Sequence, residues 1–237
     1  MGVLSAFPHC QREVVSLTMS DLVVIRYGHL VLKGISVTFQ ISLLAMLGGV
    51  VFGLLAALLR LSKRKAISAP AATFIELGRN TPAFVSMMWF TFVLPQVVGI
   101  RIPAFWTAWM ALALQTSGYL AEVFRAGIEA IEREQRLAAR AVGMTYAQEM
   151  RRIVLPQALR VVIPDIMNQF VVVFKTSTLV SVVAVPDLMY HAHRLVSQLF
   201  KPTEIYTSVA AIYILSVTVL ALLVRLIERR ARRYLIR

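Results

Sequence analysis

Apolar residues along the chain gather into five long runs, and polar or basic segments separate them. The runs occupy residues 35–59, 75–98, 104–124, 161–185 and 205–227. Each run holds between 21 and 25 residues, and about 20 apolar residues in a helix suffice to cross a bilayer. The pattern predicts an all-α membrane protein with five transmembrane helices.

Small residues recur at every fourth position of the first run, at Ala45, Gly49, Gly53 and Ala57. Residues four apart lie on one face of a helix, and small side chains let membrane helices approach closely. We therefore expect this face to pack against another helix.

The longest polar-rich segment, residues 125–160, lies between the third and fourth runs. Thr145 and Gln148 have the spacing of a capping box at a helix start. Gly143, just before them, is typical of a residue that ends a helix. The segment is therefore predicted to fold as a helix, a glycine break and a second helix.

Residues 34–230 are predicted to form a single membrane domain. Residues 1–33 are predicted to form a tail outside the membrane, with room for an interfacial helix, and residues 231–237 form a basic tail. Residues 99–103 and 186–202 are predicted to be outer loops.

Composition and charge support a membrane location. Hydrophobic residues make up 58% of the chain, whereas soluble domains hold about 45–50%. The net charge of +13 does not indicate nucleic-acid binding, because the basic residues cluster between the apolar runs and the aromatic residues lie inside them. Seventeen Lys and Arg residues fall in predicted inner segments and six in outer ones. By the positive-inside rule, the N-terminus is outside and the C-terminus is cytoplasmic.

The sequence has no recognisable catalytic or nucleotide-binding pattern. Glycine precedes none of the lysines, so the phosphate-binding pattern GxxxxGK[ST] is absent. The only cysteine, Cys10, excludes an internal disulfide, and His191 and His193 would point apart on a helix. We predict no catalytic residue, no metal site and no cofactor in this chain.

Polar residues inside the predicted fourth run point to function. Asn168, Gln169 and Lys175 lie within the run, beside the hydroxyls of Thr176 and Ser177. Because polar side chains that face lipid are costly, such residues usually face a cavity or another helix. They are predicted to line a translocation path or a helix interface.

Three segments follow patterns that recur together in one family. The pattern GQxEAAxxxG…LP is matched by Gln135, Ala138, Ala139, Gly143, Leu155 and Pro156. The pattern ExxR(G/N)TP is matched by Glu76, Arg79, Asn80, Thr81 and Pro82, and Kx(T/S)(S/T)LVS by residues 175–181. Over residues 34–230 the chain thus resembles the membrane permease subunits of ATP-binding-cassette (ABC) importers for polar amino acids.

This resemblance implies a type I importer transmembrane domain in a bacterial inner membrane, with several partners. A cytoplasmic ATPase dimer is expected to bind ATP and Mg²⁺ and to contact the six matched residues of the polar loop. A second permease, identical or homologous, is expected to complete the path, and a solute-binding protein outside to deliver the amino acid. Arg79, Asn80 and Thr81 join the candidate substrate path, although Arg79 is also able to snorkel to the membrane surface.

The loop departs from the family pattern at one position. Leu137 stands where the family has the glutamate of EAA, and Glu134 replaces the preceding glycine. Glu134 is therefore a candidate to replace any salt bridge made by the missing glutamate. The arginines near the motif are expected to pair with acidic groups on the ATPase; they are Arg136, Arg140, Arg151 and Arg152.

Two other functions and several substrates remain open from the residues. A membrane-embedded enzyme would use Asp165, Lys175 and the two histidines, but no catalytic spacing joins them. A channel would have no need of a long cytoplasmic helix–glycine–helix segment. The second-run motif favours glutamate or aspartate as the substrate, and glutamine, histidine, arginine and opines are the alternatives.

Overall fold

The computed structural model describes residues 28–131 and 133–233, and every regular element in those ranges is helical. The helices are α1 Gly28–Arg60, α2 Lys65–Asn80, α3 Ala83–Val98, α4 Ala104–Glu129, α5 Arg133–Ala141, α6 Tyr146–Val183, α7 Leu188–Leu199 and α8 Pro202–Arg233. The predicted all-α class is confirmed. Most of the predicted outer tail, residues 1–27, and the last four residues of the basic tail lie outside the described ranges.

Three of the described helices are long and apolar enough to cross a membrane: α1, α6 and the part of α8 up to Leu226. The pair α2 and α3 adds a fourth if the two helices together form one span. With 26 residues, α4 is long enough at about 39 Å, but Gln115, Thr116 and Ser117 make it less apolar. Length and composition therefore support three or four spans in this part of the chain, against the five that the sequence predicts.

The centre of the bundle is α4, which α1 contacts along much of its length. The four small residues of the α1 stripe are all buried, as predicted. A Cβ atom added at Gly53 would lie 2.9 Å from the carbonyl oxygen of Ser117. The two backbones therefore approach more closely than any larger residue would permit.

A second close neighbour of α4 is α2, which packs through one narrow face. Its buried residues are Ser68, Ala71, Ile75 and Gly78. A Cβ atom at Gly78 would lie 2.6 Å from the carbonyl oxygen of Leu114 in α4. Glycine is thus required where the two helices cross.

The second predicted run, residues 75–98, is not one straight helix. The axes of α2 and α3 differ by 107°. The break follows from Pro82, because a residue before proline is driven out of the helical region, and Thr81 has an extended backbone with φ −86° and ψ 126°. Residues 75–98 therefore form two helices that meet at a sharp bend, and the predicted span over them is at most a broken one.

The fourth predicted run belongs to a longer helix. From Tyr146, α6 continues without a break to Val183, and its last turns, Ser177–Val183, have 3₁₀ geometry. A π-helical turn at Met150–Val154 precedes Pro156. Proline clashes with the carbonyl group four residues earlier, and a wider π turn accommodates the ring. The polar loop and the membrane run therefore share one helix.

The predicted outer loop at residues 186–202 contains α7. Asp187 caps the helix, since its Oδ1 accepts a hydrogen bond from the backbone N–H of Tyr190 at 2.8 Å. Leu188, Ala192 and Leu195 form its buried face and pack against α8. The helical spacing of these three residues was the signal that the sequence prediction missed.

Asp187 is fully buried. It lies outside the candidate membrane spans, between the end of α6 and the start of α8. Burial raises the pKa of its carboxyl from 3.8 to about 6, and the N–H of Tyr190 opposes the rise by stabilising the charge. Folding therefore favours the protonated carboxyl. The stability of the protein is expected to fall as the pH rises between these two values and then to level off.

We predict that Gly53→Leu lowers the stability of the protein by about 2–3 kcal/mol, because the new side chain must push α1 away from α4. Val51→Leu places the same residue on the exposed face of α1, where Val51 is 55% exposed, and is the control. Thermal unfolding in detergent compares the two. Equal melting temperatures for both variants would contradict the packing at Gly53.

We predict that Asp187→Asn raises the melting temperature more at about pH 7.5 than at about pH 4.5, because only at the higher pH does the wild-type protein bury a charge. Asparagine retains the capping oxygen. Thermal unfolding at both pH values measures the difference, with Glu204→Gln, at the start of α8, as the control. An equal shift at the two pH values would show that burial does not perturb this carboxyl.

Candidate functional site

The turn between α5 and α6 is built around Gly143. The N–H of Gly143 donates to the carbonyl of Arg140 at 3.0 Å, and that of Met144 to the carbonyl of Ala139 at 3.1 Å. These two bonds close a helix end of the Schellman type, which needs a residue with positive φ. Gly143 supplies it with φ +79°.

The start of α6 is capped as the sequence predicts. The Thr145 hydroxyl accepts from the N–H of Gln148 at 3.4 Å, and the N–H of Thr145 donates to the Gln148 side chain at 2.9 Å. Together with the turn at Gly143, this confirms the predicted helix, glycine break and helix.

Two side-chain contacts hold α5 against α6. The Gln157 amide donates to the side-chain oxygen of Gln135 at 2.7 Å. Arg140 Nε forms an ion pair with Glu149 Oε2 at 2.9 Å, and the Glu149 side chain is fully buried. Arg140, expected to pair with the ATPase, thus pairs within the loop, and the acid in this pair is Glu149 rather than the candidate Glu134.

The six matched residues of the loop fall into an inner and an outer group. Gln135 bonds to Gln157, Ala139 is buried, and Leu155 packs against the apolar cluster that contains Met150 and Val154. Ala138, Gly143 and Pro156 are exposed. The inner group shapes the loop, and the outer group is available to a partner.

Exposed apolar side chains occur on both sides of Gly143 in the sequence. Leu137 is 51% exposed, Val142 74% and Tyr146 59%. An apolar surface on an otherwise charged segment is typical of a site that another protein covers. The sequence analysis missed Val142 and Tyr146, because their exposure depends on how the two helices meet.

A polar face runs along the membrane part of α6. Asp165, Asn168 and Lys175 are exposed, and their spacing of three and seven residues places them on one side of the helix. Asp165 was not among the predicted path residues. Its position on the same side of the helix makes it a further candidate. Gln169 lies off this face and is partly buried.

The hydroxyls that follow Lys175 bond to their own helix. Thr176 donates to the carbonyl of Val172 at 3.0 Å, and Ser177 donates to that of Phe174 at 2.8 Å. Ser177 is fully buried. In this conformation the two hydroxyls stabilise the change from α to 3₁₀ geometry at the end of α6.

The second group of candidate path residues lies at the bend between α2 and α3. Arg79 and Asn80 are exposed, Thr81 is partly exposed, and Asn80 donates to a carboxylate oxygen of Glu76. Within the described ranges, no hydrogen bond or ion pair joins this group to Asn168 or Lys175. The contact between α3, which follows the bend, and the end of α6 is apolar, because both helices contribute to one hydrophobic cluster.

Comparison with known proteins gives consistent matches. The family model described as "Binding-protein-dependent transport system inner membrane component" matches residues 49–233. The probable glutamine ABC transporter permease protein GlnM of Bacillus subtilis (strain 168) is 36% identical over 193 residues, which are 81% of this chain and 89% of that protein. The arginine transport system permease protein ArtQ of the same organism is 30% identical over 202 residues, 85% of this chain and 92% of that protein.

A solved structure agrees. The crystal structure of an amino acid ABC transporter with histidines superposes with a TM-score of 0.83 at 36% identity, over 90% of this chain and 100% of that chain. The family match, the sequence relatives and this fold lead to one conclusion. The chain belongs to the family of binding-protein-dependent transport system inner membrane components, and within it to the ABC permeases for amino acids.

Proposed function

We propose that this chain is the permease subunit of an importer that carries a polar amino acid across the inner membrane of a bacterium. In this proposal a separate ATPase dimer binds ATP and Mg²⁺ and hydrolyses the ATP, and the chain itself catalyses nothing. An extracytoplasmic solute-binding protein delivers the substrate. The main support is the loop around Gly143, which presents an exposed apolar surface on a rigid turn.

The proposed topology has five spans, with the N-terminus outside and the C-terminus in the cytoplasm. It counts α4 as a span and the bent pair of α2 and α3 as another. Burial supports α4 as a span, because a helix surrounded by protein need not be as apolar as one that faces lipid. The charge distribution supports the orientation.

The polar face of α6 supports a second permease subunit. Asp165, Asn168 and Lys175 lie on a helix that is apolar enough to cross the membrane, and charged groups there are costly when they face lipid. Water in a path or a second permease that completes the path removes this cost. We therefore place the substrate path along this face, with the second copy or a homologue opposite.

The loop is proposed to dock on the ATPase through Ala138, Gly143 and the apolar side chains beside them. From this loop α6 runs 38 residues to Val183, about 57 Å at 1.5 Å per residue. A displacement at the loop is therefore carried along one helix to the polar face. ATP binding would then move the membrane helices without any contact between the ATPase and the substrate.

The substrate is proposed to be a polar amino acid, with glutamate and aspartate as the first candidates. Lys175 is the basic residue of the polar face, and an ammonium group attracts a carboxylate. Every amino acid carries one carboxylate, however, and the named relatives are a probable glutamine permease and an arginine permease. Glutamine, arginine, histidine and opines are therefore the alternatives.

We predict that Lys175→Ala reduces amino acid uptake about tenfold or more, since a lost charged hydrogen bond is worth about 1.5–3 kcal/mol. Insertion into the membrane should be normal. Uptake of labelled glutamate, aspartate, glutamine, histidine and arginine into cells that express the whole transporter measures the effect and names the substrate. Lys201→Ala, outside the candidate path, is the control. Unchanged uptake of every amino acid tested would remove Lys175 from the path.

We predict that Gly143→Glu abolishes the stimulation of ATP hydrolysis by the binding protein, because a side chain at positive φ strains the turn and a new charge enters the apolar surface. Gly143→Asn is the matched control, since asparagine tolerates this backbone. Both variants are purified with the ATPase and assayed in lipid nanodiscs. Normal stimulation with Gly143→Glu would exclude the loop as the coupling site.

A further inference from the structure

Glu149 is a fully buried carboxylate in a loop that is otherwise rich in exposed charge. Its Oε2 accepts from Arg140, while its Oε1 has no hydrogen-bond partner among the described residues. Removing a carboxylate from water is costly even when it is paired. The burial therefore calls for a role beyond closing a surface ion pair, because an apolar residue would fill the same space without that cost.

The ion pair joins two different helices. Arg140 is in the last turn of α5, and Glu149 is in the first turn of α6, on the far side of the Gly143 turn. The bonds that form the turn lie within α5 and its end, and the capping box lies within α6. Neither the turn bonds nor the capping box therefore connects a side chain of α5 to α6. Among the described side chains, the bonds that cross between the helices are those of Arg140 with Glu149 and of Gln135 with Gln157.

These two cross-links lie at different points along α5. Gln135 and Arg140 are five residues apart, about 7.5 Å along the axis, so together they fix the direction of α5 as well as its position. The Gln135 bond is between neutral groups, whereas the Arg140 bond joins charged groups and is the stronger type. Breaking the ion pair would leave α5 able to pivot about its first turn.

Glu149 also lies at the joint of α6. The π turn Met150–Val154 begins at the next residue and Pro156 follows it, and α6 then enters the membrane. Arg140 keeps 58% of its side chain exposed, while Glu149 is anchored in the interior. The ion pair thus connects α5 to a buried atom of α6, Glu149 Oε2. This atom lies directly before the π turn, where the helix is wider and more easily bent.

We propose that Arg140 and Glu149 are positioning residues that transmit the movement of α5 to α6 and so couple ATP hydrolysis to transport. The inference rests on the proposed function of the loop as the docking site for the ATPase. Glu149 is fully buried and is therefore not itself part of the docking surface proposed around Gly143. Losing the pair should therefore spare assembly and ATP hydrolysis and reduce the number of substrate molecules moved per ATP.

The test uses the full transporter, with its ATPase and binding protein, in proteoliposomes. Glu149→Gln has the same shape, removes the buried charge and retains an acceptor. We expect co-purification of the ATPase and basal hydrolysis to stay at the wild-type level, and transport per ATP to fall about tenfold, the change that corresponds to a lost charge pair. Arg140→Gln should behave in the same way, and the double variant should be no worse than either single one.

Two further variants separate positioning from general stability. Arg140→Lys keeps the charge and should retain most of the wild-type ratio of transport to hydrolysis. Glu204→Gln breaks the Lys201–Glu204 ion pair, far from the loop in sequence, and should leave the ratio unchanged. A Glu149→Gln transporter with the wild-type ratio would overturn the proposal. So would one whose transport falls only in step with assembly or melting temperature, because the pair would then be merely structural.

Measurements on the wild-type complex distinguish a failure of this inference from a failure of the proposed function on which it rests. If the wild-type chain brings down no ATPase in mild detergent, the proposed function fails and the role of the pair fails with it. If the wild-type complex assembles and transports while Glu149→Gln keeps its full ratio, the proposed function stands and the positioning role alone is wrong.

Discussion

The close approach of α1 and α2 to α4 is the interaction on which the rest of the structure depends. Inside a membrane, apolar side chains gain nothing by leaving lipid for protein, so helices associate through close packing and hydrogen bonds. Gly53 and Gly78 allow that packing at the backbone itself. Because its neighbours shield α4, the helix tolerates Thr116 and Ser117, whose hydroxyls donate to carbonyls of the preceding turn at 2.6 and 2.7 Å. The central helix thus carries polar groups in its middle and is among the best buried of the long helices.

The opposite situation holds on α6. Its polar face is exposed, and within residues 28–131 and 133–233 no helix covers Asp165, Asn168 and Lys175. Charged groups that face lipid are costly, so this face supports the proposed water-filled path or second permease beside α6.

Local signals in the sequence predicted local structure well. The stripe in α1, the cap at Thr145 and the turn at Gly143 each follow from a few neighbouring residues, and the structure has all three. The bend at Pro82 was not predicted because residues 75–98 were taken as one run, although Glu76, Arg79, Asn80 and Thr81 before Pro82 are polar. The burial of Glu149 and the exposure of Val142 depend on how α5 meets α6, which no single stretch of sequence encodes.

The departure of the loop from the family pattern acquires a physical meaning from this arrangement. Leu137 replaces an acid on the outer surface of α5, and it lies with Val142 and Tyr146 among the exposed apolar side chains. The acid that the structure does use, Glu149, faces inward and binds Arg140. The buried charge of this loop therefore contributes to its internal geometry, while Leu137, Val142 and Tyr146 remain exposed. The described bonds that form this loop all lie within the chain and require no group from outside it.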